Sequence, residues 1–165
     1  MTVLVGLDNP YSRNPRAALM PIPANCAGHR TWSMIRDVVP DYTKLEYIRD
    51  FRRVNLYPTT RAKNGKGATA LDRMMADWVF LLAREGRHGH IVLFGQRVRL
   101  AFAKYIPAGL DEQDVISQRV RVDHAITTMH AVPHPSGRNH WYNDDACRQQ
   151  VGELLASLRP KEQIK

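Results

Sequence analysis

The sequence predicts an α/β protein, a three-layer α/β/α arrangement around a central, mainly parallel sheet of about four strands. Three observations predict it. Four short apolar runs alternate with amphipathic helical patterns, the spacing of βαβ units. Two of the runs, TVLVG and HIVLFG, lack strict alternation, which suits strands covered on both faces. The length, 165 residues, is that of one domain spanning 1–165, long enough to bury a core without disulfide or metal support.

The elements follow in order. Residues 2–6 (TVLVG) form the first strand, which leaves through Gly6 into a turn set by Pro10. Residues 29–37 read as a helix stopped before Pro40, and residues 41–50 as a second helix with Asp41 as N-cap. The second strand, residues 51–57 (FRRVNLY), carries Asn55 inside its apolar pattern. A loop follows, TTRAKNGKGAT. Residues 69–84 give the clearest helix, with Leu71, Met74, Met75, Trp78, Val79 and Leu82 on one face at steps of three and four. Gly86 and Gly89 end it before the third strand, residues 90–95. A short helix over 96–105 closes at Pro107. The fourth strand spans residues 125–132, and a last helix, 145–158, ends at Pro160.

Composition excludes several classes. Hydrophobic residues at 44% and charged residues at 24% are globular values, far from disorder. No apolar run approaches the ~18 residues of a membrane span. MTVLVGLDNP lacks the basic start of a signal peptide. Cys26 and Cys147 are too few and too far apart for a disulfide framework or a metal-spaced pair, so a reduced, cytoplasmic protein with neither metal nor cofactor is expected. The net charge of +8 favours a polyanionic partner, most commonly nucleic acid. Between Arg49 and Lys66 six cations stand against one acid, and Arg61, Lys63 and Lys66 lie in the glycine-containing loop, where close approach to phosphates is easy.

In parallel sheets ligands bind at the carboxyl ends of strands. Three segments there carry side-chain chemistry: GLDNPYS (6–12), with Asp8 and Asn9 at the mouth of the sheet; VNLYP (54–58), where a buried Asn55 must satisfy its amide on backbone or ligand; and PHPSGRNHWYND (133–144), a proline-stiffened loop too rich in functional groups for a plain connector. Taken singly, the first segment reads as an ordinary Asx-rich turn.

In this order, the segments resemble the uracil-DNA glycosylase superfamily. Members carry a GQDPYH-, GINPG- or GMNPG-type turn after the first strand, an asparagine at the end of the second, and HPS with a DNA-penetrating loop after the last. HIVLFGQRVRLAF also resembles the strand-glycine-helix that precedes the last strand. The likeness extends over residues 2–158. It departs in one extra residue in the first motif: anchoring on Pro10 aligns Asn9 with the catalytic position, and anchoring on Gly6 aligns Asp8; Asn9 is favoured, because the proline fixes the turn geometry, and Asn9, Asn55 and His134 are expected to converge at the carboxyl edge of the sheet. Asn9 and HPSGRN are similar to the mismatch-specific and single-strand-selective branches, Tyr11 to the GQDPYH branch. The four cysteines of the iron–sulfur branches are lacking.

The resemblance implies hydrolysis of the N-glycosidic bond of uracil or a modified pyrimidine flipped out of single- or double-stranded DNA. It implies His134 as a neutral donor to the departing base, Asn9 or Asp8 as the water-positioning group, and Asn55, Tyr11 and Trp32 around the base. Ser136 and Gly137 would clamp a phosphate. Arg138 would fill the gap left by the base, with Asn139 or His140 assisting. Trp141 reads equally as a core anchor of the loop, and Trp32 as a core tryptophan. The remaining histidines show no metal-ligand spacing. A monomer is expected. The competing function is a DNA- or nucleotide-binding protein that keeps the fold without turnover; a third reading changes the substrate to a modified pyrimidine or free nucleotide.

Overall fold

The computed structural model describes residues 1–8, 12–57, 67–86, 88–106, 115–122, 125–136 and 139–160. Its strands are β1 (Thr2–Asp8), β2 (Phe51–Tyr57), β3 (His90–Phe94), β4 (Ile116–Val122) and β5 (Ala125–Val132). Its helices are α1 (Ala27–Val38), α2 (Lys44–Asp50), α3 (Ala70–Glu85), α4 (Gln96–Ala101) and α5 (Asp145–Ser157). One five-stranded sheet runs in the order β2-β1-β3-β5-β4, parallel except for β4, which lies antiparallel to β5.

Side chains alternate across the sheet and make two cores. Leu4, Val92, Phe94 and Val132 face one way, against Trp32, Met34 and Ile35 of α1, Tyr47 of α2, and Val151 and Leu155 of α5. Val3, Val5, Ile91, Leu93, Met129 and Ala131 face the other way, against Ala76, Val79, Phe80 and Ala83 of α3 and Val98 and Ala101 of α4. Ile35, Phe94, Ile91 and Leu93 are fully buried, each such side chain contributing about 1.5–3 kcal/mol of transfer energy. The three-layer α/β/α fold expected from the sequence is therefore present. The chain winds to one face after β1 and to the other after β2, so strand order reverses between β1 and β3. In open α/β sheets such a switch point, at the carboxyl ends of the strands, is where ligands bind.

Four details correct the local reading. The sheet has five strands, because ISQRVRV pairs as β4. Its arginines hid it: an edge strand with one open face tolerates charges, and they discourage further pairing. Ile116 and Val120, spaced for one face, pack on the core and were the signal. Asp41 does not cap α2; Thr43 does, in a capping box with Glu46. α4 stops at Ala101, four residues short of the expected end. α3 turns a different face inward. It buries Asp72, Ala76, Val79, Phe80 and Ala83, while Leu71, Met74 and Trp78 are 46%, 59% and 51% exposed. The small Ala76 and Ala83 let the helix approach the sheet closely, and Asp72 enters the interior with a partner described below. Among the described residues no helix is long and apolar enough to cross a membrane.

Candidate active site at the carboxyl edge of the sheet

Asp8 is the last residue of β1 and is paired in register with Tyr57, the last of β2. Asn55 lies one pleat earlier, opposite Gly6, and is buried. The two positions depend on each other. A Cβ on Gly6 would stand 2.5 Å from Asn55 Oδ1 and 3.5 Å from Leu19, so only glycine leaves room for the amide beside β1. Gly6→Ala is expected to displace Asn55 and to weaken any ligand that its amide reads by at least tenfold, at a stability cost of about 1–3 kcal/mol. Ligand titration alongside thermal melting checks this, and binding unchanged from wild type would remove Asn55 from the site.

His134 has a similar foundation. β3 is followed by Gly95, whose φ of +90° is left-handed and whose N–H donates to Val132 O at 2.9 Å. A Cβ there would lie 2.9 Å from His134 Cβ. The glycine is thus required twice, for its backbone angle and for the space that seats the histidine. Gly95→Ala should move His134 and lower thermal stability together, read by activity and melting of the same preparation.

Burial pushes the His134 imidazole below its ordinary pKa, and the nearby Asp8 carboxylate pulls it partly back. The ring is therefore neutral at neutral pH and able to donate one hydrogen bond. Because its folded value lies below the unfolded one, the native state binds fewer protons there. Its contribution to stability is complete above the unfolded value and is lost as pH falls through the folded one.

The loop after β5 is held by its own polar groups. Tyr142 Oη donates to Pro133 O at 2.7 Å. His134 O accepts from Ser136 N at 2.8 Å and from Asn139 Nδ2 at 3.0 Å. Asn139 Oδ1 accepts from Trp141 N, capping a 3-10 turn over His140–Asn143. The amide expected at DNA is thus engaged in shaping the loop that carries His134 and Ser136. Trp141 is half-buried against the α1/α5 core, as the anchor reading had it. Trp32 is buried as well, its Nε1–H donated to Tyr42 O at 3.1 Å, with Arg36 and Lys44 over its ring. Its indole is committed to packing between α1 and the entry to α2. Asn9, Tyr11, Arg61, Lys63, Lys66, Gly137 and Arg138 lie outside the described residues.

No family model matches the chain, and no curated protein does.

One group at this edge escaped the sequence reading. Asp72, fully buried in the first turn of α3, accepts from Arg97 Nε at 2.9 Å and Arg97 Nη2 at 3.1 Å, from Tyr57 Oη, and from Thr69 N at 2.7 Å. Burial alone would raise its pKa. The bonds from Arg97, Tyr57 and the Thr69 backbone outweigh burial and hold the carboxyl to about 2. The network ties the end of β2 to the starts of α3 and α4, and so braces the start of the helix that follows Gly95. The spacing Thr69-x-x-Asp72 was the available signal, since it is a capping box.

The other histidines with described partners are internally bonded. His90 Nδ1 and His130 Nε2 are 3.1 Å apart, and Ser117 Oγ lies 2.8 Å from His130 Nδ1. Burial lowers both rings, with His130 pushed down to about 4, so the pair is neutral and shares one proton along its line. Among the described residues no cluster of three or more ligating side chains could hold a metal ion.

Proposed function

We propose that the chain is a DNA glycosylase that hydrolyses the N-glycosidic bond of uracil or a modified pyrimidine. One observation carries this reading: Asp8, Asn55 and His134, from three segments far apart in sequence, gather at one carboxyl edge, and two of them stand in spaces that only glycine leaves open. The net charge of +8 supports a DNA substrate.

In this mechanism the target base leaves the stack and enters the site at the switch point. The Asn55 amide supplies a donor and an acceptor to its edge. As the C1′–N bond breaks, its electron pair passes to the base, and neutral His134 donates to the base oxygen on which negative charge grows. A neutral ring suffices, and a charged one would be costly in a dry site. Water attacks C1′ of the sugar, oriented by Asp8 or Asn9. Its proton leaves to Asp8 when the carboxylate is the positioning group, and to solvent when it is Asn9. An amide is no base, so the Asn9 route is the slower one. Ser136 and the backbone beside it hold a flanking phosphate.

Single- and double-stranded oligonucleotides bearing uracil or oxidised and hypermodified pyrimidines, incubated with the protein and cleaved with alkali, test the reading. Strand scission at the modified position is expected. DNA bound with every base left in place would instead support a binding protein on the same fold. Binding should weaken steeply with salt. Replacing Arg61, Lys63 and Lys66 together by alanine should weaken all sequences alike and reduce the log–log salt slope by about 3. An unchanged slope would place the basic loop away from DNA.

A further inference from the structure

A cavity of about 150 Å³ lies between the first turns of α1, the loop after β5 and the first turn of α5. Asn25, His29, Arg30, Pro135, Tyr142 and Arg148 line it. Pro135 stands between His134 and Ser136 in the chain, so the cavity borders the loop of the candidate site while none of that site's side chains lines it. Pockets for whole small molecules run to roughly 300 Å³ or more. At about 30 Å³ per water, this one has the size of a single small polar group.

The donors on its wall decide which group. Arg30 Nε donates to Asn25 O at 3.3 Å, which leaves both Nη groups without a protein acceptor among the described residues. Arg148 gives one Nη2 hydrogen to Asp37 at 2.5 Å and keeps the rest of its fork. The two hydroxyls at the wall are spent: Tyr142 Oη donates to Pro133 O and Ser33 Oγ to Arg30 O. Two guanidinium groups, the Asn25 amide and the His29 ring remain, an array of donors with the Asp37 carboxylate at its margin.

The local field has the same sign. Burial first, and then Lys44, Arg36 and Arg30, push the His29 imidazole below its ordinary pKa, and the described charges acting on it are all cations. His29 meets the Trp32 ring edge-on, and Arg36 and Lys44 lie 4.7 and 5.0 Å from the centroid of that ring, so both cations are held beside the histidine.

We propose that this cavity binds a phosphate monoester, the terminal phosphate of a nucleic-acid strand or that of a nucleotide. The inference goes beyond the glycosylase reading and needs no base excision. An internal phosphodiester carries one charge and offers two unbridged oxygens. A monoester carries about −1.5 to −2 at neutral pH and offers three. Each guanidinium can engage two oxygens at once, so two of them and an amide suit the three-oxygen group. A diester would leave part of the array unpaired.

Inorganic phosphate and strands of the four ordinary bases test this. Phosphate is titrated while the His29 ring signals are followed by NMR. Strands with hydroxyl, 5′-phosphate or 3′-phosphate ends are then compared for binding. Phosphate is expected to shift the His29 signals in wild type and not in Arg30→Gln. A phosphate at one end should tighten strand binding by about tenfold or more, the weight of hydrogen bonds to a charged group. Arg30→Gln and Arg148→Gln should each remove that gain and leave hydroxyl-ended strands bound as before. Arg30→Gln keeps the Arg148–Asp37 pair, so its melting should match wild type. A nucleoside 5′-monophosphate that binds as tightly as the phosphorylated strand would name a nucleotide as the ligand, and a gain confined to the strand would name its terminus. No shift with phosphate, no gain from either terminal phosphate, or a gain that survives both substitutions would overturn the proposal. So would a loss in Arg30→Gln that falls equally on hydroxyl-ended strands, since an internal phosphodiester would then occupy the cavity. These strands carry no base to excise, so failure here is separate from failure of the excision assay.

Discussion

Replacing His134 by alanine is expected to slow base excision by about 10²-fold or more, the cost of removing one preorganised donor from a developing anion. Binding of an abasic product analogue should change little, because the imidazole would touch the base and not the backbone. The two measurements separate the readings of this residue. If His134 only fills space above Gly95, the substitution lowers the melting temperature and weakens binding and excision together. If the protein binds DNA without turnover, wild type and variant both leave every base in place. A variant that keeps full excision activity would remove His134 from the mechanism and move the catalytic centre to Asp8 and Asn9. The pH profile adds a third test. Burial lowers the imidazole against the opposing pull of Asp8, so excision should hold steady as pH falls past the ordinary imidazole range near 6.5, and decline only below it, when the ring gains its second proton.

The second large effect belongs to Asp72. Asp72→Ala removes the carboxylate that is paired with the Arg97 guanidinium, whose side chain is 9% exposed. Breaking such a pair from one side costs about 3–5 kcal/mol, a large part of the roughly 5–15 kcal/mol that holds a domain together. A fall in melting temperature of about 10 °C or more should follow for a chain of this size. Replacing both partners, as in Asp72→Leu with Arg97→Met, should recover much of the loss, since no buried charge then remains unpaired. A single variant that melts like wild type would show the pair to be dispensable. Acid should act through the same group. Its folded pKa of about 2 lies below the unfolded value of 3.8, so the native state holds fewer protons in that range. The associated stability, about 2 kcal/mol, is present above pH 4 and is lost as pH falls toward 2. In Asp72→Asn that portion of the acid sensitivity should disappear.

Local pattern carried much of this protein. β2 and β5 lie where apolar runs predicted them, at Phe51–Tyr57 and Ala125–Val132. The alternation of strand and helix was enough for the layered α/β fold, because each amphipathic segment can bury its apolar side only against a neighbour. Asn55 and His134 stood out as candidates for a related reason: an amide inside an apolar strand and a polar loop directly after one cost stability unless their polar groups find partners.

Other features depended on residues distant in the chain. β4 was lost because an edge strand needs an apolar pattern on one face only. The face that α3 buries was misread because Ala76, Ala83 and Asp72 are poor local markers of an interior. Asp72 goes inside only because Arg97, 25 residues away, meets it there. Gly6 and Gly95 carry no functional group, yet they are where the amide of Asn55 and the ring of His134 fit. The apolar and polar rhythm of this chain was enough for its layers and for the order of its site segments. The space in which the site's side chains stand is made between strands, where close packing compares residues that no local window holds together.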